Sequence, residues 1–510
     1  MEDQLEIVEQ LKKTLELLSV KNQTRGHSAS AHPTSSSTHL SQFSYKDLAN
    51  AYIDFTYENP TIYHVIQFAA RHLESHGFKY IRERELWDNK VSKDGGRYYT
   101  TRNGTSLVAF VIGKDWTPSK GVGAVACHAD ALSAKLKPAS VKPLVEGFEL
   151  LGVAPYGGTL GEQWFDRDLG IGGRVLYRDE AGSGDIKSVL INSTPYPIAK
   201  IPTLAPHFGK PSQGPFDKED QAVPIIGYSG PDDHTPEATD EEKGSPLYGK
   251  HSIKLLRYVA KLAGIKVSQL VQMDLELFDV QKGSIGGLDE DFLFAPRLDD
   301  RLCSFAGIHA MTKFADTVNE RDYNDFILLA LFDNEEVGSR SRQGAQGGLL
   351  QAVIERAAMV HSNALPADIR DLYANTLIAS ADVNHMFNPN FKEIYLENHS
   401  PKPNTGITIS LDPNGHMATD NVGLAIVEEL ARRNGDKVQY FQIKNNSRSG
   451  GTVGPYLSLT GARTIDLGIA QMSMHSIRAV TGSKDVGLGT KFLISFYKDW
   501  RKVYDEFGDL

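Results

Sequence analysis

Four apolar runs of strand type each lead to residues that can bind a metal ion. The runs and the residues beyond them are Val122–Cys127 before His128, Phe326–Phe332 before Glu335 and Glu336, Leu377–Ser380 before Asp382, and Ile465–Ala470 ahead of His475. In open α/β sheets, sites form outside the carboxyl ends of the strands. One such ending would mean little, because strands usually end in polar turns. Four endings with zinc-ligand residue types predict one shared cleft in an α/β fold.

Composition narrows the classes of function. The 510 residues predict two or three domains at about 150 residues each. A net charge of -10 and the lack of a dense Lys/Arg cluster argue against a nucleic-acid partner. Two cysteines give no disulfide framework. No apolar run reaches the ~20 residues of a transmembrane helix, and the acidic start is unlike a secretory signal, so we expect synthesis in the cytosol without a transmembrane segment.

The first 44 residues differ from the rest of the chain. In residues 1–20, Val8, Leu11, Leu15 and Leu18 form an apolar stripe at helical spacing, which predicts an amphipathic helix of coiled-coil type. Residues 21–44 are rich in Ser, Thr, His and Asn and predict a flexible, protease-accessible linker. The simpler alternative is an ordinary frayed terminus, although frayed termini rarely carry a regular apolar stripe.

The remaining chain divides into two kinds of sequence, which differ in their pattern of apolar residues and in their content of Gly and Pro. Residues 45–133 and 282–510 have the α/β pattern and predict one discontinuous catalytic domain, with an early helix at Thr61–Ser75. Residues 134–281 are rich in Gly and Pro with short β-like pieces, and helical spacing returns only at Ser252–Leu262. This stretch predicts a largely β domain inserted into the catalytic one.

The polar residues beyond the strands can serve amide hydrolysis. Two metal ions ~3.5–4 Å apart activate a water and polarise the carbonyl, and they need carboxylate and imidazole ligands with a base beside the water. Three carboxylates and a bridging hydroxide would balance the charge of two Zn²⁺ ions. A mixed nitrogen and oxygen set suits zinc, although manganese or cobalt also fits. The candidate ligands are His128, Asp299, Asp382, His475 and one of the adjacent acids Glu335 and Glu336, of which one can bind metal while the other faces the water. Asp130, two residues after His128, could orient its imidazole.

Each of these motifs has an ordinary structural explanation. His128-Ala129-Asp130 could be a hydrogen-bonded pair, and adjacent glutamates are usually a solvated surface. Asp299 could form salt bridges with Arg297 or Arg301. The order and setting of all the motifs together favour the metal site.

Several segments resemble the metallopeptidase family that includes aspartyl aminopeptidase. The resemblance runs from about residue 45 to the C terminus. It implies removal of amino-terminal residues from peptide substrates by two Zn²⁺ ions per subunit, in a zinc exopeptidase-like mixed sheet flanked by helices. The segments are Cys127–Asp130, Tyr156–Gly158, Trp164–Leu169, Ala295–Asp300, Asp333–Ser339, Ser380–His385 and Met474–Arg478.

The resemblance also implies a role for each site residue. One metal site would contain His128 and Asp382, the other Glu336 and His475, with Asp299 bridging both. Glu335 would be the general base, and Asp130 would orient His128.

Assembly and location follow from the same resemblance. The inserted domain would mediate dimerisation, and dimers would build a homododecamer in which His207 reaches the active site of a neighbouring subunit. Residues 1–20 resemble the propeptide of vacuolar members of the family. This implies a cytosolic precursor that a selective autophagy receptor delivers to the vacuole through those residues.

Substrate preference is predicted from one position. Members that prefer acidic amino-terminal residues carry a lysine in the strand that reads Gly406–Ser410 here, and that lysine aligns with Thr408. Loss of the cation removes the partner of a substrate carboxylate. We therefore expect neutral, leucine-like residues to be preferred, with Thr408 in the substrate site.

Two rival functions stay open. A related two-metal carboxypeptidase or deacylase would need a cation for the substrate carboxylate, and Arg448 could supply it. A non-enzymatic shell could keep the fold, although such proteins usually lose a ligand or the base. The nearby loop Asn446–Thr452 lacks the Gly-Lys-Ser/Thr ending of a phosphate loop and is expected to line the cleft with backbone donors.

Overall fold

The computed structural model describes residues 44–179, 184–230 and 235–510. The predicted helix at residues 1–20 and nearly all of the linker at 21–44 lie outside these residues. No helix in the described ranges is long and apolar enough to cross a bilayer.

The helices and strands follow one another in a mixed order. The α-helices are α1 Tyr45–Glu58, α2 Ile62–Ser75, α3 Asp240–Lys243, α4 Ile253–Ala263, α5 Leu298–Ala315, α6 Leu349–Ser362, α7 Pro366–Ala374, α8 Asn421–Asn434, α9 Gly454–Leu457 and α10 Asp485–Phe507. The strands are β1 Lys79–Tyr80, β2 Gly96–Arg102, β3 Ser106–Ile112, β4 Gly123–His128, β5 Ser133–Val141, β6 Phe148–Tyr156, β7 Leu169–Arg178, β8 Ile186–Asn192, β9 Ile225–Tyr228, β10 Leu270–Asp279, β11 Ser284–Gly286, β12 Phe292–Ala295, β13 Phe326–Phe332, β14 Leu377–Ala381, β15 Asn384–His385, β16 Ile407–Ser410, β17 Val438–Phe441, β18 Arg463–Gly468, β19 Ala470–Met472 and β20 Ala479–Gly482.

A nine-stranded mixed sheet organises the molecule, in the order β1-β2-β3-β13-β4-β14-β18-β16-β17. Its four neighbouring strands β13, β4, β14 and β18 run parallel. Their carboxyl ends therefore meet at one edge, as the sequence pattern predicts. The mixed α/β fold is confirmed.

Burial on both faces explains the long apolar runs. Every residue of β3, β4 and β13 is buried, which is typical of strands covered by helices on both sides. From α10, Trp500 and Tyr497 enter the core, and the Tyr497 hydroxyl donates to the backbone oxygen of Leu328 at 3.1 Å. These contacts hold α10 against the sheet.

A six-stranded antiparallel sheet, in the order β8-β7-β10-β5-β6-β9, is built from residues 133–279. It has its own apolar core around Trp164, Leu256 and Leu275. Helix α4 packs into that core and begins after Ser252, whose side chain accepts from the backbone of Leu255 at 3.2 Å. Both sheets nevertheless belong to the compact unit Ser44–Leu510, so the inserted domain and its role in dimerisation remain predictions.

A small third sheet carries the chain past the edge of the large one, in the order β11-β12-β20-β19-β15. The predicted run Ile465–Ala470 is divided between β18 and β19, which lie in different sheets. The division falls at Gly468, where an added Cβ would lie 1.5 Å from the backbone oxygen of Asp382. Only glycine allows this close approach beside a candidate ligand.

Candidate metal centre

The strand ends bring the predicted ligands together. His128 ends β4 directly opposite Phe332, the last residue of β13. Asp382 follows β14, and its backbone nitrogen donates to Leu467 of β18 at 2.9 Å. The site lies at the carboxyl edge of the parallel strands.

One group of donors is made by His128, Asp299 and Asp382, whose ligand atoms lie within 4.8 Å of one another. The Nε2 atom of His128 lies 3.1 Å from Asp299 Oδ1 and 3.5 Å from Asp382 Oδ1. His128 is buried, whereas the carboxylates are slightly exposed.

A second group shares Asp299 and adds Glu336 and His475, again with ligand atoms within 4.8 Å of one another. The Nε2 atom of His475 lies 3.5 Å from Asp299 Oδ2 and 3.6 Å from Glu336 Oε2. Asp299 therefore turns one oxygen towards each group. The His475 side chain is 56% exposed, so this group faces the solvent side of the site.

The two groups fit zinc by their chemistry. Imidazole nitrogen and carboxylate oxygen are ordinary zinc ligands. The Oε1 atom of Glu336 is buried without a hydrogen-bond partner among the described residues, and a buried carboxylate oxygen is costly unless it is paired or binds a cation. Mutual repulsion among the acids would fall on binding a divalent cation.

Asp130 connects the parts of the site. Its Oδ1 accepts from His128 Nδ1 and from the backbone nitrogen of Glu335, each at 3.2 Å. Its Oδ2 accepts from the backbone nitrogen of Glu336 at 3.2 Å and from the Tyr156 hydroxyl at 2.8 Å. These bonds direct the Nε2 atom of His128 towards Asp299 and fix the backbone of both glutamates.

Burial and charge shift the acid–base behaviour of these groups. Burial would lower the pKa of His128, but Asp382, Asp130 and Asp299 together raise it well above its usual value. Burial, reinforced by Asp382, raises the pKa of Glu335 to about 8, although His128 opposes the change. Before any cation binds, the site thus favours a proton on Glu335 and on His128.

Glu335 lies beside the first donor group, with its Oε2 atom 3.9 Å from His128 Nε2. It begins a short 3-10 turn, Glu335–Val337, after Asn334, which has a left-handed φ of 61°. The Asn334 side chain donates to the Tyr156 hydroxyl at 2.9 Å. Because this turn is anchored, Glu335 lies near His128 of the first donor group, whereas the adjacent Glu336 lies near His475 of the second.

The start of α5 presents Asp299. The helix begins at Leu298, but Asp299 and Asp300 have non-helical backbone angles. The flanking arginines do not form the alternative salt bridges. Within the described part of the chain, Arg297 donates to the backbone oxygens of Thr56 and Asp279 and Arg301 to that of Asn59.

A cleft of about 280 Å³ opens beside the donor groups. It is lined by four candidate ligands, by the base candidate Glu335 and by further side chains. The candidate ligands are Asp299, Glu336, Asp382 and His475, and the further side chains include Asn384, His385, Ser410, Met417, Phe441 and Met474. The loop Ser449–Thr452 completes the lining, as expected for that loop.

Thr408 and His207 do not line this cleft, and their roles in substrate binding stay predictions. Thr408 lies in β16, fully buried, and is not among the residues that line the cleft. Ser410, two residues further on the same face of the strand, does line it. His207 lies in an exposed 3-10 turn, Pro206–Phe208, and the structure does not bring it to the donor groups or the cleft.

Sequence reasoning missed several cleft residues. His385 ends β15 within a segment that carried the family resemblance, but it was not assigned a role. Phe441 ends β17 and Met417 lies in a loop, and neither belongs to a recognisable motif. Tyr156 lies in a segment that carried the family resemblance. The hydrogen bond from its hydroxyl to Asp130 could not be predicted without the fold.

Comparison with known proteins identifies the family. The model of "Aminopeptidase I zinc metalloprotease (M18)" matches residues 55–497. The chain belongs to the M18 family. This confirms the predicted family and shows that the protein is a metallo-aminopeptidase, a hydrolase whose family uses zinc.

Individual M18 proteins are similar over nearly the whole chain. Vacuolar aminopeptidase 1 of Saccharomyces cerevisiae is 60% identical over 100% of both chains, which agrees with the predicted vacuolar location. Aspartyl aminopeptidase of Aspergillus oryzae is 37% identical, covering 89% of this chain and 96% of its own.

Two solved structures of M18 proteins have the same fold. The crystal structure of prApe1 has a TM-score of 0.89 and 62% identity, covering 91% of this chain and 96% of that one. The dodecamer of Saccharomyces cerevisiae mApe1 has a TM-score of 0.84 and 57% identity, covering 91% of this chain and 100% of that one.

Proposed function

We propose that this M18 aminopeptidase binds two zinc ions per subunit. His128 and Asp382 hold one ion, Glu336 and His475 hold the other, and Asp299 bridges them. The observation that carries the proposal is the pair of donor groups that share Asp299 through its two oxygens.

The protein residues supply orientation and proton transfer. When bound, the two zinc ions would lower the pKa of a shared water and polarise the scissile carbonyl. Glu335 stands beside the first donor group and takes the proton from the attacking water, then gives it to the leaving amine. Asp130 accepts hydrogen bonds from His128 and from the Glu335 backbone, and so fixes the position of the imidazole relative to the base. The acids of the cleft also suit the free ammonium of a substrate.

The test compares amino-terminal groups and metal content on one preparation. We expect turnover of leucyl peptides with a free amino terminus, little turnover of the acetylated peptides, and two zinc ions per subunit. Preferential cleavage of acetylated peptides with a free carboxyl end would support the carboxypeptidase alternative. One ion per subunit at full activity would contradict the shared bridge.

We also propose a preference for neutral amino-terminal residues. Among the described residues, the cleft lining contains no lysine or arginine, whereas Ser410, Met417 and Phe441 offer a neutral surface. The position of Ser410 in the lining makes it a better site than Thr408 for a specificity-changing cation. Leucyl substrates should be cleaved faster than aspartyl ones, and Ser410→Lys should favour aspartyl substrates more than Thr408→Lys does. Equal cleavage of leucyl and aspartyl substrates by the unmodified protein would refute this preference.

We infer that the subunits assemble through the six-stranded sheet. Its edge region exposes Leu144, Val145, Phe148 and Tyr228, and exposed apolar patches indicate interaction sites. The mApe1 relative forms a dodecamer, and its similarity supports a dodecamer built from dimers, with His207 entering a neighbouring active site. Light scattering of the purified chain measures this directly, and a monomer at micromolar concentration would refute it.

A further inference from the structure

Beside the cleft, Arg448 is held by a chain of hydrogen bonds that starts at a buried acid. Asp412 is buried and accepts at 2.7 Å from His416 Nδ1. Because a carboxylate only accepts, this bond places the proton of a neutral imidazole on Nδ1 and leaves Nε2 as an acceptor. The Nε atom of Arg448 donates to that Nε2 atom at 3.1 Å. The chain fixes the guanidinium by one edge.

The other edge of the guanidinium is available. Arg448 is exposed, and its bond to His416 uses Nε alone, so its two terminal amino groups are not engaged in that bond. Those groups form a planar fork that matches a carboxylate. Because the bond at Nε restrains the side chain, the two terminal amino groups of Arg448 are already positioned to bind an anion.

The position of Arg448 relates it to the substrate. The next residues, Ser449–Thr452, line the cleft, and the lining itself contains no lysine or arginine among the described residues. Residues 442–452 contain one other lysine or arginine, Lys444, whose side chain donates to the backbone oxygen of Glu393. Arg448 is therefore the cation that the segment offers to a ligand leaving the cleft.

We propose that Arg448 binds the C-terminal carboxylate of short peptides, so that the site selects dipeptides and tripeptides with a free carboxyl end. The acids around the donor groups receive the amino end of the substrate and would repel its carboxylate, so a cation is needed where a short peptide ends. A cleft of about 280 Å³ lies just below the range of roughly 300–1,000 Å³ for small-ligand pockets, which fits a short peptide. The proposal rests on the aminopeptidase function of the same cleft.

The test compares leucyl dipeptides and tripeptides as free acids and as carboxyl amides, using the full chain. In the unmodified protein, KM should be lower for the acid than for the amide, and the difference should fade beyond three residues. Arg448→Gln should raise KM for the acids about two- to fivefold, the upper range for an exposed charged pair, and leave KM for the amides unchanged. Arg448→Lys should lie between, because it keeps the charge and loses the fork.

Lys444→Gln is the matched control, since it removes a cation from the same segment and should leave the acid-to-amide ratio unchanged. Equal effects of Arg448→Gln on acids and amides would mean that Arg448 only supports the loop, and would overturn the proposal. If Arg448→Gln raised KM only for amides that have an acidic amino-terminal residue, Arg448 would bind the amino-terminal side chain of the substrate. That result would also overturn the proposal. Failure of the unmodified protein to cleave even the amides would count against the aminopeptidase function itself.

Discussion

At the scale of single residues, Asp130 is the centre of the site although it is not a candidate ligand. It accepts from His128, from Tyr156 and from the backbone of Glu335 and Glu336. Burial would raise the pKa of Asp130, but the hydrogen bond and charge of His128 outweigh it and lower that pKa. Asp130 is therefore ionised and orients a ligand and the base candidate at once.

Replacing the base should separate chemistry from metal binding. We expect Glu335→Gln to keep zinc and the oligomer but to lose about 10²–10⁴-fold in kcat, the typical contribution of a general base. The glutamine keeps the shape of the side chain and its backbone bond to Asp130. Kinetics and metal analysis on the same sample measure both effects, and wild-type turnover would remove Glu335 from the mechanism.

Asp299 should behave differently, because both donor groups depend on it. Asp299→Ala is expected to lose metal together with activity. Quantifying zinc by mass spectrometry, with Asp300→Asn as a neighbouring control that removes no candidate ligand, makes the comparison direct. Two fully occupied zinc sites in Asp299→Ala would rule out the bridge.

Sequence could predict the site residues that follow strands, and not those placed by loops. His128, Glu336 and Asp382 were predictable because parallel strands end at one edge, which is a rule of the fold. Thr408 was chosen because it aligns with a family lysine, and its role stays a prediction; Ser410, on the same face of β16, carried no sequence signal, and only the depth of the cleft shows that it lines the site. The bond from Arg448 to His416 joins residues 32 positions apart in two loops, and no periodicity marks such a pair.

At the scale of elements, one buried residue of β18 ties together two loops of the cleft. The Asp466 carboxylate accepts from Thr452 Oγ1 at 2.7 Å and from the backbone of Ala418. Thr452 belongs to the lining loop, and Ala418 follows the lining residue Met417. Asp466 thus sets the distance between two sides of the cleft.

Asp466→Asn should loosen the cleft without touching the donor groups. The amide keeps one acceptor oxygen but turns its NH2 towards one of the two donors, and an unsatisfied buried group costs about 1–3 kcal/mol. We expect KM to rise about tenfold with a smaller change in kcat and an unchanged zinc content. Asp499→Asn, on α10 and bonded to Asn434, is the matched control. An unchanged KM together with a normal melting temperature would contradict the role of Asp466.

Helix ends were more predictable than sheet membership. The predicted helix Ser252–Leu262 is found as Ile253–Ala263, because a serine cap and a left-handed Gly264 mark its ends locally. One apolar run is split into β18 and β19 at Gly468, where the backbone oxygen of Asp382 approaches closely. This contact joins segments that are distant in the sequence. Local signals cannot report such a contact.

At the scale of the whole molecule, residues 1–20 are the segment whose role is best tested in cells. An apolar stripe repeated on a many-subunit particle would be multivalent, so weak contacts could join particles or engage a receptor strongly. Leu11→Asp with Leu15→Asp should abolish higher assembly and vacuolar delivery while the catalytic oligomer and its peptidase activity persist. Fluorescence localisation and light scattering measure these outcomes.

Two results would contradict this role of the stripe. Normal vacuolar delivery of the double variant would refute targeting through residues 1–20. A lowered melting temperature with intact delivery would favour the alternative in which the helix packs on its own core. Gln10→Asp with Lys13→Asp, which adds negative charge on the face opposite the stripe, controls for charge alone.

The shared position of Asp299 between two donor groups also has a thermodynamic consequence for folding. The candidate ligands come from distant parts of the chain, so only the native state assembles them. Every ion bound there would stabilise that state by RT ln(1 + [L]/Kd), about 2.7 kcal/mol at a hundredfold excess over Kd. Since Asp299 serves both groups, loss of one ion should weaken the hold on the other, and unfolding should begin at the site when zinc becomes scarce. Thermal melts against a series of zinc-buffered solutions should show a rising midpoint that Asp299→Ala abolishes. The lifetime of this peptidase would then follow the zinc supply of its compartment.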